Sequence, residues 1–258
     1  WSVLLGGLAV LGVLLLALIA TRLWIKAQTL RYRSLTARYQ PLVEALAEPS
    51  TSPQALTQLL RAPRQHLDVI GALILRPLTV TSGQAVDYLR AGATTLGLEK
   101  RWRQGLRSSR WWDRADAAHA LGLIRKPGIS HEILRLMDDP HEEVRAAAVA
   151  ALGWLADPTT VPALLQRLTD ETRHQKVRII EALQHAGAAA GPAVLAHLDA
   201  QTHVPHELAD LVGHLRLSSA MDHLIRWTGD SNPALRAAAF RAIGILGPDE
   251  RAYYHALK

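Results

Sequence analysis

Three His-Glu dipeptides, His131-Glu132, His141-Glu142 and His206-Glu207, are the residues best suited to chemistry. Imidazole nitrogens and carboxylate oxygens ligate zinc and iron, so such pairs build a metal centre when several converge. Convergence in a repeating chain requires one register. Only His206-Glu207 lies seven residues before a recurring glycine, Gly213. The corresponding positions elsewhere are Ala115-Asp116, Ala146-Ala147, Val177-Arg178 and Ala237-Ala238. A single registered pair cannot make the centre, so no metal and no other cofactor is expected. The chain has no Cys, which excludes a thiolate nucleophile, a disulfide framework and Cys-ligated metals. There is no nucleophile–His–acid set, no glycine-rich phosphate loop and no His-Glu-x-x-His, and among 12 His chance pairs are expected. The chain is expected not to be an enzyme and to take no small-molecule substrate.

Two other constellations suit binding. The stretch Lys100, Arg101, Trp102, Arg103, Arg107, Arg110, Trp111, Trp112 interleaves cations with indoles. Trp and Arg are enriched at interface hot spots. The stretch has several readings: some indoles packed between neighbouring helices, contact with anionic headgroups, or docking on a partner's cytoplasmic domain. Aromatic–basic interleaving also suits single-stranded nucleic acid, against which a membrane tether argues. The second constellation is an apolar-x-basic-apolar pattern that stacks Arg135, Arg167, His197 and Arg226 into a basic ladder. It either receives an acidic or extended segment of a partner, or is a solvated face whose long side chains cover apolar stems.

The elements that position these residues begin with a membrane span. Val3 to Ala20 carries no charge. As a helix, Trp1 to Trp24 covers roughly 35 Å at about 1.5 Å per residue, enough for a hydrocarbon core of about 30 Å. Trp1 and Trp24 fall at the two interfaces, with Arg22 and Lys26 beside the second. A cleaved signal peptide is the rival reading, but the apolar run flows into Thr21-Arg22-Leu23-Trp24-Ile25-Lys26 without a cleavage pattern. Ser2, Gly6, Ala9, Ala17 and Ala20 share one face of the span, which either admits a neighbouring helix closely or reflects the usual Gly and Ala content of membrane helices.

The net charge of +6 is unevenly placed. Residues 1–40 carry Arg22, Lys26, Arg31, Arg33 and Arg38 and no acid, whereas residues 115–258 are net acidic. The sequence pI near 10.0 therefore describes the N-terminal part and not a nucleic-acid-binding domain. Cations following the span place the remainder in the cytoplasm, single-pass.

The rest is repetitive and all-α. Arg145-Ala-Ala-Ala-Val-Ala-Ala-Leu152-Gly153 and Arg236-Ala-Ala-Ala-Phe-Arg-Ala-Ile243-Gly244 are close copies, and Arg114 to Leu121-Gly122 fits the same frame. The last positions, Gly122, Gly153, Gln184, Gly213 and Gly244, recur with a period near 31. Lys176 and Pro205 replace the leading Arg in the two divergent copies. Each copy reads as an Ala-rich first helix, a turn, and a second helix such as Val161, Leu164, Leu165, Leu168. Acids before each first helix, in Asp138-Asp139-Pro140, Thr169-Asp170 and Gly229-Asp230, are expected to cap it. The expected organisation is a transmembrane helix at 1–25, a basic juxtamembrane segment and linker at 26–64, divergent helical repeats at 65–107, and regular repeats at 108–258 with the last partial. Candidate helices upstream are Pro41–Ala47, Pro53–Leu60, His66–Leu75, Gly83–Leu96 and Leu98–Ser108.

Asp139-Pro-His-Glu-Glu-Val-Arg145-Ala-Ala-Ala-Val-Ala-Ala-Leu-Gly153 resembles the first helix of a bacterial HEAT repeat of the PBS-lyase HEAT-like kind. The resemblance is strong over 138–168 and 229–247, moderate over 108–137 and weak over 169–228. It implies a right-handed α-solenoid whose second helices line the concave face, and protein–protein interaction as the usual role. Two enzyme groups share the repeat. Deoxyhypusine hydroxylases hold di-iron with His-Glu pairs in register, which this chain lacks. Phycobilin lyases bind chromophores, for which no pocket is legible here. The leading expectation is a non-catalytic membrane-anchored scaffold or accessory subunit whose partners are the lipid bilayer and an integral membrane protein. A polysaccharide-synthesising glycosyltransferase is the candidate partner. The alternatives are a HEAT-like lyase or hydroxylase, and an electrostatic membrane-surface or nucleic-acid binder.

Overall fold

The computed structural model describes residues 2–80, 83–170, 173–201 and 204–247, and their side chains except at 2–13, 169, 170, 173 and 174. Every regular element among them is helical, and no strand occurs among the described residues. The chain divides into two compact units, residues 1–98 and 99–258. The whole Trp/Arg stretch lies in the second unit.

The first unit holds α1 (Ser2–Leu46), α2 (Ser52–Leu60), α3 (Leu67–Leu78) and α4 (Gln84–Thr95). α1 is one helix of 45 residues. No helix boundary separates residues 1–25 from 26–64, and the helix expected at Pro41–Ala47 is its last turns. Leu, Ala, Arg and Lys favour helix throughout, and Pro41 costs the bond its missing N–H would have made. From Leu35 onward α1 packs on α2, α3 and α4. Tyr39, Val43 and Leu46 are buried together with Leu59, Ile70, Ile74 and Leu89. The Tyr39 hydroxyl and His66 Nδ1 share a hydrogen bond of 2.9 Å. Upstream, every residue from 14 to 34 is exposed. No helix is long and apolar enough, among the described residues, to cross a membrane. Residues 1–13, which carry half of the expected span, lie outside the described side chains.

The second unit is built from helix pairs. α5 (Leu98–Gly105) leads into it. First helices α6 (Trp111–Leu123), α8 (Glu142–Leu155), α10 (Arg173–Ala186), α12 (His206–His214) and α14 (Pro233–Leu246) form one row. Second helices α7 (Ser130–Leu134), α9 (Val161–Asp170), α11 (Gly191–Ala200) and α13 (Met221–Trp227) alternate with them. α6 packs on α8, α8 on α10 and α12 on α14. This is the stacked arrangement a repeat needs, because one pair cannot bury its own apolar face. The end of the partial last repeat, residues 248–258, lies outside the described residues.

The recurring glycine sets the closeness of the first-helix row. A Cβ on Gly122 would stand 2.6 Å from Ala151 Cα, one on Gly153 2.6 Å from Ala182 Cα, and one on Gly213 2.8 Å from Ala242 Cα. Glycine is required because the neighbouring backbone occupies the space. The recurring Arg is equally structural. Arg114 Nη1 donates to the carbonyls of Ser108 and Ser109 at 2.9 and 3.3 Å. Arg145 Nη1 reaches Asp139 and Pro140 at 2.9 and 3.2 Å, and Arg236 Nη1 reaches Asp230 and Ser231 at 2.8 and 3.0 Å. Each guanidinium folds back over the turn that precedes its own helix.

Asp139 and Asp230, expected to cap first helices, stand two residues before the caps, and the side chains of Thr169 and Asp170 lie outside the described residues. The N-caps of α6, α8 and α14 are Arg110, His141 and Asn232, and of these only Asn232 caps with its side chain, accepting from Ala234 N at 3.0 Å. Asp139 Oδ1 instead accepts from His141 N at 3.0 Å, Asp230 Oδ1 from Asn232 N at 2.8 Å, and Ser108 Oγ from Arg110 N at 3.2 Å. A short polar side chain two residues before the cap folds the turn rather than the helix end.

Candidate functional site

The Trp/Arg stretch spans α5, the following turn and the start of α6. α6 begins where Ser108, Asp113 and Arg110 fix the turn. Ser108 Oγ donates to Asp113 Oδ2 at 2.8 Å, and Arg110 Nε donates to the same oxygen at 2.9 Å. These bonds, Ser108 first, hold the Asp113 carboxyl below the usual carboxylate range. The Arg110 guanidinium also lies 5.8 Å from the Trp112 ring centroid, within cation–π reach. Trp112 is 47% exposed. Trp111 meets it edge-on at 5.7 Å and stacks on His141 at 5.4 Å with planes 25° apart. The start of α6 and the start of α8 thus share one aromatic shelf, Trp112–Trp111–His141.

The rest of the stretch divides. Lys100, Arg101 and Arg107 are exposed, and Trp102 is half-buried. Arg103 is paired with Glu132, whose carboxyl it pulls below the usual range. One of the three His-Glu pairs is therefore half spent on an inter-helix ion pair. In a second, His141 stacks on Trp111. In the third, His206 Nδ1 and Glu207 Oε2 lie side by side at 3.3 Å. Among the described residues no group of three or more His, Asp or Glu could hold a metal.

The second-helix row carries the basic ladder, threaded with acids. Arg135 is exposed. Arg167 on α9 pairs with Asp138, at the end of the preceding second element. Arg226 Nη2 contacts His223 Nδ1 at 2.7 Å, and His223 Nε2 contacts Asp199 Oδ1 on α11 at 2.9 Å. Burial pushes the His197 imidazole below its ordinary range. A depression of about 330 Å³ lies between Leu134, Met137 and Asp138 on one side and Ala163, Gln166 and Arg167 on the other. Arg167 thus ties neighbouring repeats, while beside Arg226 the tie is made by His223 to Asp199.

On α1, Ala17, Ala20, Arg22, Trp24 and Lys26 are exposed. Trp1 and the side chains of Ser2, Gly6 and Ala9 lie outside the described residues.

The sequence names His141 and Asp138 without their contacts to Trp111 and Arg167, and does not single out Asp199 or His223. The near-period spacing of Asp138 and Arg167 was an available signal, since residues about one repeat apart face each other in a stack. Trp111 and His141, 30 positions apart, carry the same near-period signal.

Residues 99–184 match the family model described as HEAT repeats. No curated protein matches the sequence. Among solved structures, one engineered structural-genomics target aligns at TM-score 0.41 and 16% identity, covering 85% of this chain and 71% of its own. A second engineered protein aligns at TM-score 0.36 and 16% identity, over 84% and 97% of the two chains. Human deoxyhypusine hydroxylase in complex with glycerol aligns at TM-score 0.28 and 18% identity, over 89% and 96%. At these scores the alignments carry no argument about activity.

Proposed function

We propose that the protein is a non-catalytic scaffold or accessory subunit, anchored in a bacterial inner membrane by α1 and facing the cytoplasm, that binds an integral membrane protein. The observation that carries this reading is the condition of α1. Leu14, Leu15, Leu16, Leu18, Ile19, Leu23, Trp24 and Ile25 are each between 46% and 68% exposed. Such a run, with no cover among the described residues, is at home in lipid, not in water. Helix pairs stacked through structural Gly and Arg residues support the scaffold half of the reading. Their signature residues are consumed by packing.

The contact sites in this reading are the small-residue face of the span and the aromatic shelf at Arg110, Trp111 and Trp112. The test is a mild-detergent co-purification of the intact protein beside two variants, Gly6→Leu/Ala9→Leu and Arg110→Ala/Trp111→Ala/Trp112→Ala. One membrane protein recovered with wild type and lost in either variant supports the reading. Recovery indifferent to both variants removes both sites. Stoichiometric iron or a coloured ligand in the purified protein would turn the reading towards an enzyme.

A further inference from the structure

We infer that the exposed face of α1 is a helix-docking seam that runs out of the proposed span into the stalk above it, and that its occupant is a partner helix flanked by acidic residues. Leu16, Leu23 and Leu30 recur every seventh residue, with Ala20, Ala27 and Ser34 between them at spacings of four and three. This is the heptad repeat that keeps one stripe of a helix facing a neighbour. Leu16 is 68%, Leu23 62% and Leu30 55% exposed. Ala20, Ala27 and Ser34 are exposed as well. Leucines alternating with small residues let a second helix approach closely while still filling the gaps between them. Nothing in the first unit covers the stripe, because α1 begins to pack only at Leu35.

The residues beside the stripe choose the occupant. In the stalk they are Lys26 and Arg33 on one side and Arg31 and Arg38 on the other. The chain has no acid before Glu44. A second copy of α1 fits the apolar stripe and fails on charge. In a parallel pair, each flanking residue faces the one five positions on across the seam, which sets Lys26 against Arg31 and Arg33 against Arg38. In an antiparallel pair each side faces its like, and the contacts are again cation on cation. Glu or Asp at the facing positions turns all four contacts attractive. The seam is therefore built against self-association and for a helix of opposite charge. The inference deepens the proposed function, since a membrane partner rests on α1 being an anchor, whereas the seam and its charge selectivity do not.

The test uses the full chain in mild-detergent micelles with two synthetic helices of about four heptads as probes. Both carry the same Leu/Ala seam. One has Glu and the other Lys at the four flanking positions. The Glu probe should bind about tenfold tighter than the Lys probe, from four flanking pairs of a few tenths of a kcal/mol each. Charge reversal at Lys26, Arg31, Arg33 and Arg38 to Glu should invert the preference. The reversed chain mixed with wild type should form a one-to-one pair in sedimentation equilibrium, while wild type alone stays monomeric. The chain is free of Cys, so Leu23→Cys against Ile25→Cys reads the face without background: a probe cysteine should cross-link to the first and not the second. Equal binding of the two probes, binding of neither, or wild-type dimers cross-linked through Leu23→Cys would overturn the seam. Liposome flotation is read separately. A chain that discriminates the probes but does not float loses the anchor and keeps the seam, and one that floats without discriminating does the reverse.

Discussion

The step from α8 to α10 and the step from α10 to α12 join the same kinds of helix, yet only the first is tight. At the first, Gly153 admits the backbone of Ala182. At the second, Gln184 stands in the glycine's register position and Leu211 in the alanine's. Helix axes approach to about 8–10 Å according to the side chains between them, and two long ones hold them further apart. α10 against α12 is correspondingly the sparsest junction in the first-helix row. The clamp is missing in the same place, since Lys176 and Pro205 replace the Arg that folds over the turn in the neighbouring copies. The α10 copy lacks both glycine and clamp, whereas the α12 copy keeps its glycine joint at Gly213 without the clamp. Cohesion in this array is a property of junctions rather than of repeats.

The ion pair between Arg114 and Asp139 is the strongest way to break the contrast. Nε to Oδ2 is 2.7 Å and Nη2 to Oδ1 2.8 Å, with the side chains only 13% and 6% exposed. Asp139→Ala removes the acceptor of both guanidinium bonds and of the His141 N–H, and should cost more in denaturant unfolding than the loss of a single acceptor. Asp230→Ala, where Pro205 stands in place of that Arg, removes one acceptor of a backbone N–H and should cost about 1 kcal/mol. Equal losses would show that the across-repeat pair adds nothing.

Glycine substitutions come next. Gly153→Ala should destabilise by roughly 1–3 kcal/mol, because Ala182 Cα and O would each lie 2.6 Å from the new Cβ. Gly244→Ala meets nothing within 4 Å and should stabilise by about 0.5–1 kcal/mol through helix propensity alone. Thermal melts of the two variants should move in opposite directions.

A loose α10–α12 step should also uncouple its two sides. Hydrogen exchange should then show α12 and α14 opening before α6 and α8, by about 1 kcal/mol or more in opening free energy. One protection level across all four would contradict the reading of α10–α12 as a weak joint.

The smallest effect is in pH. Burial pushes the His119 imidazole, edge-on to Trp154 at 5.0 Å, below its ordinary range, with Asp116 opposing. A lowered native pKa means that the unfolded chain binds the proton more readily. Its stabilisation is full above about pH 6.5 and declines as pH falls through the lowered native value. Asp139 behaves likewise at lower pH, held down first by Arg114, with its contribution declining below about pH 4. His119→Gln should flatten the first limb and Asp139→Asn the second in pH-dependent melts.

Much of the fold is legible in the chain. The Arg-x6-Leu/Ile-Gly frame locates the first helices, and the apolar spacing Val161, Leu164, Leu165, Leu168 locates a second helix whose four residues are all buried. Such patterns survive because helix periodicity and burial act on the same local residues. The capping acids were misplaced by two residues, because turn-folding and helix-capping use the same side chains and differ only in backbone geometry. The continuity of α1 through Pro41 is not legible, because a proline there reads as a helix start.

The candidate sites were legible as residue types and illegible as contacts. Composition alone excluded cysteine chemistry, and register alone left one His-Glu pair where a metal centre needs several. Whether a cation is free or spent depends on a residue about a repeat away, and only the tertiary stack decides that. Arg103 meets Glu132 and Arg167 meets Asp138 because helices on successive turns of the array are neighbours in space though distant in sequence. Helix, period and charge placement are local properties and were carried by the sequence. The closeness of each joint, the clamp over each turn and the shelf at Trp111 follow from one backbone lying against the next.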